Sequence, residues 1–179
     1  HTDLVKLDSD FNFQLIGRTR DDAAGEAFDK AARLLDLGFP GGPEVDKHSS
    51  LSSESFDFPR ALLKGSHDFS FSGMKTAFLN LSEKNKPYNK DKISKLCNTF
   101  QEAIDDFINE KTIKAAEEHK CKGIVVTGGV AANSHLRHEI KRKSLLPVFI
   151  PEKKLCTDNG AMIASFVVEN YKKSQSGFN

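Results

Sequence analysis

From residue 92 onward the chain alternates long amphipathic stretches with short apolar runs, and this alternation constrains the fold more than any other feature. Residues 92–119 carry Ile93, Leu96, Cys97, Phe100, Ile104, Phe107, Ile108 and Ala115 on one stripe, which predicts a long helix laid over a sheet. Residues 123–126 and 147–150 are short apolar runs and predict buried strands, while residues 131–143 and 159–171 predict the helices that follow them. Strand and helix in alternation argue an α/β sheet with helices packed against it. Nearer the start, Leu4, Val5 and Leu7, then Phe11, Phe13 and Leu15, flank Asp8-Ser9-Asp10 as the arms of a hairpin. Residues 67–71 alternate like a strand, and Ser72 then caps a helix carrying Met74, Ala77, Phe78 and Leu81.

Residues 21–43 read D-D-A-A-G-E-A-F-D-K-A-A-R-L-L-D-L-G-F-P-G-G-P. Thr19, with Asp22 three residues on, predicts a helix start of the capping-box type. Ala23, Ala24, Ala27, Phe28, Ala31, Leu34 and Leu35 form its packing face. Asp22, Glu26 and Asp29 share one flank, and basic residues arrive only late, at Lys30 and Arg33. Gly25 in a helix interior costs ~1 kcal/mol against alanine, which predicts a close approach there. Gly38 stops the helix, and Pro40-Gly41-Gly42-Pro43 predicts a tight turn whose backbone can approach a ligand. The same residues equally fit a surface helix followed by an ordinary Gly/Pro turn.

Gly128-Gly129 lies between a predicted strand and a helix start, where glycines let backbone approach a nucleotide and free N–H groups favour a phosphate. Asn133, read as one turn into that helix, can hydrogen-bond such a ligand. A glycine pair kept for strand–helix packing is the alternative. Asp158, between Thr157 and Asn159, reads as a cap of the last helix. His135 and His138 lack the H-E-x-x-H order and sit among basic residues, so they read as structural or solvent-exposed.

Five motifs in order carry a resemblance: His1-Thr2, the D-D-A-A-G-E-A-F-D-K run with P-G-G-P, F-S-F-S-G-M-K-T at residues 69–76, V-T-G-G-V-A-A-N at 126–133, and C-T-D-N-G-A-M-I-A at 156–164. Together they closely resemble the tRNA threonylcarbamoyladenosine synthesis family, whose members were once described as O-sialoglycoprotein endopeptidases. The resemblance implies an actin-like ATPase (ASKHA, ribonuclease H-like) fold, a mixed sheet flanked by helices, of which residues 1–179 form a single domain lacking the N-terminal subdomain. It implies transfer of threonylcarbamoyl from threonylcarbamoyl-AMP to the adenosine adjacent to the anticodon of tRNAs reading ANN codons. Carried over by position, Asp29, Gly42, Asp46 and Asn133 are substrate contacts, and Asp158 is one ligand of a divalent metal, Fe(2+). The histidine ligands of that metal belong to a segment upstream of the G-G-H-T loop, so this chain is expected to be inactive alone. Partner proteins are implied as well. An actin-like phosphotransferase and a noncatalytic partner-binding remnant are the other readings.

Charge and cysteine content narrow the classes. A net charge of +1 predicts no strong overall steering toward nucleic acid, although Arg137, His138, Lys141, Arg142, Lys143, Lys153 and Lys154 crowd one segment. The apolar runs are too short to span a bilayer. Cys97, Cys121 and Cys156 have no C-x-x-C spacing, which fits a reducing cytoplasm and supports neither a disulfide framework nor a cysteine zinc site.

Overall fold

The computed structural model describes residues 1–10, 12–60 and 65–176; Phe11 of the predicted hairpin lies outside the described residues. Strands β1 (Asp3–Leu7) and β2 (Phe13–Arg18) pair antiparallel, with Val5 opposite Leu15 and Leu7 opposite Phe13. Their turn is held by Asp8, whose Oδ1 accepts from the N–H groups of Asp10 and Asn12, both at 2.9 Å. The alternation of residues 67–71 yields a single parallel bridge between Phe69 and Thr19 rather than a full strand.

Helix α1 (Ala24–Leu34) starts later than the Thr19 cap predicts. The Thr19 hydroxyl is spent on the Asp22 carbonyl at 2.6 Å, and Glu26 Oε2 accepts from the Ala23 N–H at 3.0 Å instead. Gly25 therefore sits in the first turn, not the interior, and the nearest atom to a side chain there is Val130 Cγ2 at 3.7 Å.

Pro40-Gly41-Gly42-Pro43 is also not the tight turn expected. Pro40 is the N-cap of helix α2 (Gly41–Ser49), and Pro43 occupies its first turn, where a missing N–H costs nothing. Gly41 is the point where α2 presses on α1: a Cβ on it would lie 2.6 Å from Asp29 Cα and 2.7 Å from Ala32 Cβ. Gly41→Ala is thus expected to destabilise by about 1–3 kcal/mol through overpacking. Gly42→Ala, whose Cβ meets nothing within 4 Å, should cost clearly less. Equal urea midpoints for the two variants would show that α2 shifts freely on α1.

Helices α3 (Ser72–Lys84) and α4 (Lys90–Glu118) follow. The apolar stripe of α4 does bury, with Leu96, Phe100, Ile104 and Phe107 nearly solvent-free among Phe28, Phe58, Phe69, Phe71 and Phe78. Phe78 and Phe28 meet Phe100 at ring distances of 4.6 and 5.8 Å. The expected role of α4 as a cover over a sheet needs correction, however. It is a central helix packed against α1, α2 and α5 (Ser134–Lys143), so Gln101, Asp105 and Asn109 are buried beside the apolar stripe.

Beyond α4, strands β3 (Ile124–Val125) and β4 (Val148–Phe149) pair in parallel, and helix α6 (Gly160–Ser176) closes the chain. The architecture is mixed α/β, but the sheet is not the one continuous sheet expected. Among the described residues it is two separate two-stranded pieces, β1-β2 and β3-β4. No described helix is long and apolar enough to cross a membrane.

Candidate functional site

The acidic flank of α1 and the F-S-F-S-G-M-K segment are one structural joint. Asp21 accepts from the Phe71 N–H at 2.8 Å, from Ser72 Oγ at 3.0 Å and from Ser70 Oγ. Burial raises the pKa of Asp21, but these hydrogen bonds outweigh it and leave the carboxyl below its usual value. Phe69 and Phe71, which alternate with the two serines, point into the core and stack at 5.9 Å. Asp22 pairs with Lys30 at 2.6 Å and with Lys75 at 3.2 Å, and the Lys30 ammonium holds it below the usual carboxylate range. The expectation of an unmixed acidic flank fails because Lys75 reaches across from α3. Nothing local in residues 21–30 reveals that.

Asp29, Gly42, Asp46 and Asn133 fall on a second, continuous array. Asp29 Oδ1 accepts from the Gly41 N–H at 2.7 Å, tying α1 to the start of α2, and the half-buried Gly42 follows with open space around its α-carbon. Asp46, further along α2, accepts with both oxygens from the Ser134 N–H at 3.1 Å. That N–H belongs to the first residue of α5, where a carboxylate is favoured by the helix dipole.

Asn133 is the N-cap of α5, not a residue within it, and a short 3₁₀ turn (Gly129–Ala132) precedes it. Its Oδ1 accepts from the Leu136 N–H at 2.9 Å, and its Nδ2 donates to Gln101 Oε1 at 2.7 Å. Gln101 in turn donates to Ser49 Oγ at 2.7 Å, which closes the array on α2. Each polar atom of the Asn133 amide keeps one further bonding capacity. Asn133→Ala removes a cap and strands Gln101, so it should cost about 2–4 kcal/mol of stability. A melting temperature within a degree of the parent would contradict this reading.

The diglycine turn borders a cleft of about 360 Å³ that also touches Thr2, Ala24, Val130 and the backbones of β1 and β3. Gly128 has φ +92°, a left-handed conformation that favours glycine, and side chains added at Gly128 or Gly129 would meet nothing within 4 Å. Thr2 Oγ1 accepts from the Ala24 N–H at 2.9 Å, so the first motif of the chain caps α1 at the same cleft. A larger hollow of about 690 Å³ lies along the outer side of α4, lined by Arg60, Asp106, Glu110 and Lys143. Its charges pair with one another, Arg60 to Asp106 at 3.1 Å and Lys143 to Asp106 at 2.5 Å, and no sequence motif reaches it.

Asp158 is exposed, in the loop before α6, and makes no hydrogen bond or ion pair with the described residues. The segment leading to it is anchored on α5: Arg137 donates to Pro151 O at 2.7 Å, and Lys153 to Ser134 Oγ at 2.6 Å. No group of three His, Cys, Asp or Glu side chains that could hold a metal gathers among the described residues. One exposed carboxylate does not fit a metal ion by itself, since such sites use three or more protein ligands.

The basic segment is largely spent on internal partners. Arg142 pairs with Glu139 at 2.6 Å and holds that carboxyl down to about 2, while Lys154 meets Glu152 at 2.9 Å. Arg137 is committed to the carbonyls of Ala131 and Pro151. His138 is exposed beside Glu139, whereas His135 Nδ1 meets the buried Asp105 at 2.7 Å. Cys97 is buried and its thiol is pushed up to about 12, far from a reactive thiolate.

Comparison with known proteins bears on this arrangement. The profile of the tRNA N6-adenosine threonylcarbamoyltransferase family matches residues 1–165. A protein of that name from Dehalococcoides mccartyi is 52% identical over 165 residues, covering 92% of this chain and 50% of the relative. One from Thermosipho africanus is 45% identical over 183 residues, covering 98% of this chain and 54% of the relative. The chain thus spans about half the length of the curated relatives it matches. Among solved structures, T. kodakarensis HypF superposes with a TM-score of 0.62 at 15% identity, covering 90% of this chain and 21% of HypF. Full-length HypF in a phosphate- and nucleotide-bound form gives 0.57 at 18% identity, over 74% of this chain and 22% of that one. At these identities the likeness is one of fold.

Proposed function

Since this chain belongs to the tRNA N6-adenosine threonylcarbamoyltransferase family, we propose that it is the C-terminal half of an actin-like-fold enzyme that modifies tRNA. The reaction moves a threonylcarbamoyl group from threonylcarbamoyl-AMP to the exocyclic amine of the adenosine adjacent to the anticodon of tRNAs reading ANN codons. The observation that carries the reading is the open diglycine turn leading into α5, whose first residue is held by Asp46 across from α2. Backbone N–H groups at such a turn suit a phosphate, and side chains added at Gly128 or Gly129 would meet nothing within 4 Å, which leaves the turn open to a ligand.

In this reading Gly42 offers backbone without steric bulk, and Asp29 and Asp46 offer carboxylate oxygens to ribose hydroxyls. Asn133 acts from the start of α5, with its remaining bonding capacity turned to the ligand. Asp158 contributes one oxygen donor to a divalent-metal site whose other donors come from the half that this chain does not match. A metal there would supply charge stabilisation for an acyl-adenylate. The residues described in this chain bind and orient; the transfer itself requires the other half and partner proteins in the cytoplasm.

The test is a titration of the isolated chain with AMP, followed by amide NMR shifts. Binding is expected at no better than about millimolar, roughly 4 kcal/mol, because half of the contacts are missing. Shifts should centre on Gly128, Gly129 and Val130. Shifts confined to the hollow outside α4, or none at saturating nucleotide, would overturn the assignment.

A further inference from the structure

A side-chain amide can stand either way round, and what Asn133 offers a ligand depends on which end faces where. Its direction is set from both ends of one hydrogen-bonded chain. At one end the Leu136 N–H can only donate, so it meets Asn133 Oδ1 at 2.9 Å and leaves Nδ2 to donate to Gln101 Oε1 at 2.7 Å. At the other end the Asp46 carbonyl can only accept. The Ser49 hydroxyl donates to it at 2.8 Å, so Ser49 Oγ must itself accept from Gln101 Nε2, at 2.7 Å. Both ends demand the same orientation of Gln101, and every donor points from α5 through α4 to α2, an arrangement in which the bonds polarise one another. The Asp46 carboxylate closes the ring by accepting from the Ser134 N–H, next in sequence to Asn133.

Gln101 is the middle of that ring and its most secluded member, 2% exposed against 8% for Asn133. Reversing it would set its oxygen against Ser49 Oγ and its nitrogen against Asn133 Nδ2, leaving buried polar groups without partners. We propose that Gln101 is a positioning residue for the substrate: too buried to touch a ligand, it fixes which end of the Asn133 amide faces α4 and holds Asn133 in register with Asp46. Asn133 then keeps one N–H and one oxygen lone pair for the ligand in a fixed arrangement. That role rests on Asn133 and Asp46 facing the substrate as read above.

The experiment uses this chain with the half of the Dehalococcoides mccartyi relative that it does not match fused ahead of His1. Gln101→Met keeps the length of the side chain and removes both amide ends. Without ligand, the Asn133 Nδ2 proton that Gln101 holds should exchange with water at least about tenfold faster in the variant, read by NMR. With threonylcarbamoyl-AMP and tRNA, KM for the adenylate should rise about tenfold, the worth of one hydrogen bond, while kcat stays within about twofold. A Gln101 that only stabilised the fold would lower the folded fraction, and with it kcat, and leave KM in place. Ser49→Ala should raise KM by a smaller factor, because it frees the Gln101 amide to reverse without emptying the site, and it carries the test if Gln101→Met does not fold. Unchanged KM in the variants of an active fusion, or unchanged Asn133 exchange in Gln101→Met, would overturn the positioning role alone. A folded parent fusion that neither binds nor uses the adenylate would overturn the substrate reading, and the positioning role with it.

Discussion

His135→Ala is expected to destabilise the chain by about 3 kcal/mol near pH 7.5, the lower end of the range for breaking a buried pair because His135 remains 28% exposed. Asp105 is completely buried, and its one bonded oxygen meets His135 Nδ1 at 2.7 Å while Oδ1 has no partner among the described residues. Burial pushes Asp105 up to about 6, and the hydrogen bond that His135 Nδ1–H donates to Asp105 raises His135 in turn. Both groups hold their protons more tightly in the folded chain than in the unfolded one. The stability that His135 contributes is therefore complete below its unfolded value of 6.5 and is lost as pH rises through the folded value. For Asp105 the folded state likewise loses ground as pH climbs from 3.8 to about 6. The imidazole lowers Asp105 through its hydrogen bond and charge, so without it burial holds the carboxyl higher still. The variant therefore loses more stability than the parent as pH rises, while the neutral carboxyl at lower pH is cheaper to bury. Urea unfolding at pH 5 and pH 7.5 should show the penalty shrinking at the lower value. An equal penalty at both, or one below about 1 kcal/mol, would mean that Asp105 is solvated in a way its burial does not suggest.

Asp158→Ala is expected to lower tRNA threonylcarbamoylation by the completed protein by a factor on the order of 10²–10³ or more, the scale of losing a group that stabilises developing charge. The same substitution should shift stability by less than about 0.5 kcal/mol, because the carboxylate is exposed and bonds to none of the described residues. Asp29→Ala should behave in the opposite sense. It frees the Gly41 N–H, loosens α1 against α2, and weakens substrate binding more than turnover. Measuring melting temperature beside kcat and KM separates the two residues. An Asp158→Ala protein with parental activity would remove Asp158 from the site.

Much of the fold is legible in periodicity. The long α4 and α5 follow from spacing, since each buries a stripe that the pattern already marks. The hairpin, both short parallel strands and α6 form where the spacing puts them, although much of their apolar surface stays exposed. Local chemistry misleads where a distant segment competes for the same groups. Thr19 looks like a cap but bonds Asp22 O, while Thr2 caps α1 from over twenty residues away. P-G-G-P reads as a turn because proline and glycine break helices, yet Gly41 is required by contact with Asp29 and Ala32, and Pro43 is harmless in a first turn. The acidic flank reads as open because Lys75 arrives from another helix.

The site is legible only through motif identity. Nothing local to Asp46 announces that it will hold the first N–H of α5, some ninety residues on, or that Gln101 will bridge Asn133 to Ser49. A glutamine, an aspartate and an asparagine at positions 101, 105 and 109, four apart beside the α4 stripe, are the one signal that a buried polar seam runs there. The basic run misleads for a related reason: its charges are answered by Glu139, Glu152 and Asp106, which pattern alone does not pair with it.

The central claim is that these residues make up one half of a tRNA threonylcarbamoyltransferase. It is tested most directly by fusing the unmatched half of the Dehalococcoides mccartyi relative ahead of His1, supplying threonylcarbamoyl-AMP and a tRNA that reads ANN codons, and analysing the tRNA nucleosides by mass spectrometry. The account predicts threonylcarbamoyladenosine at the position next to the anticodon, dependent on Asp158. A folded fusion that hydrolyses ATP while that adenosine stays unmodified would contradict it.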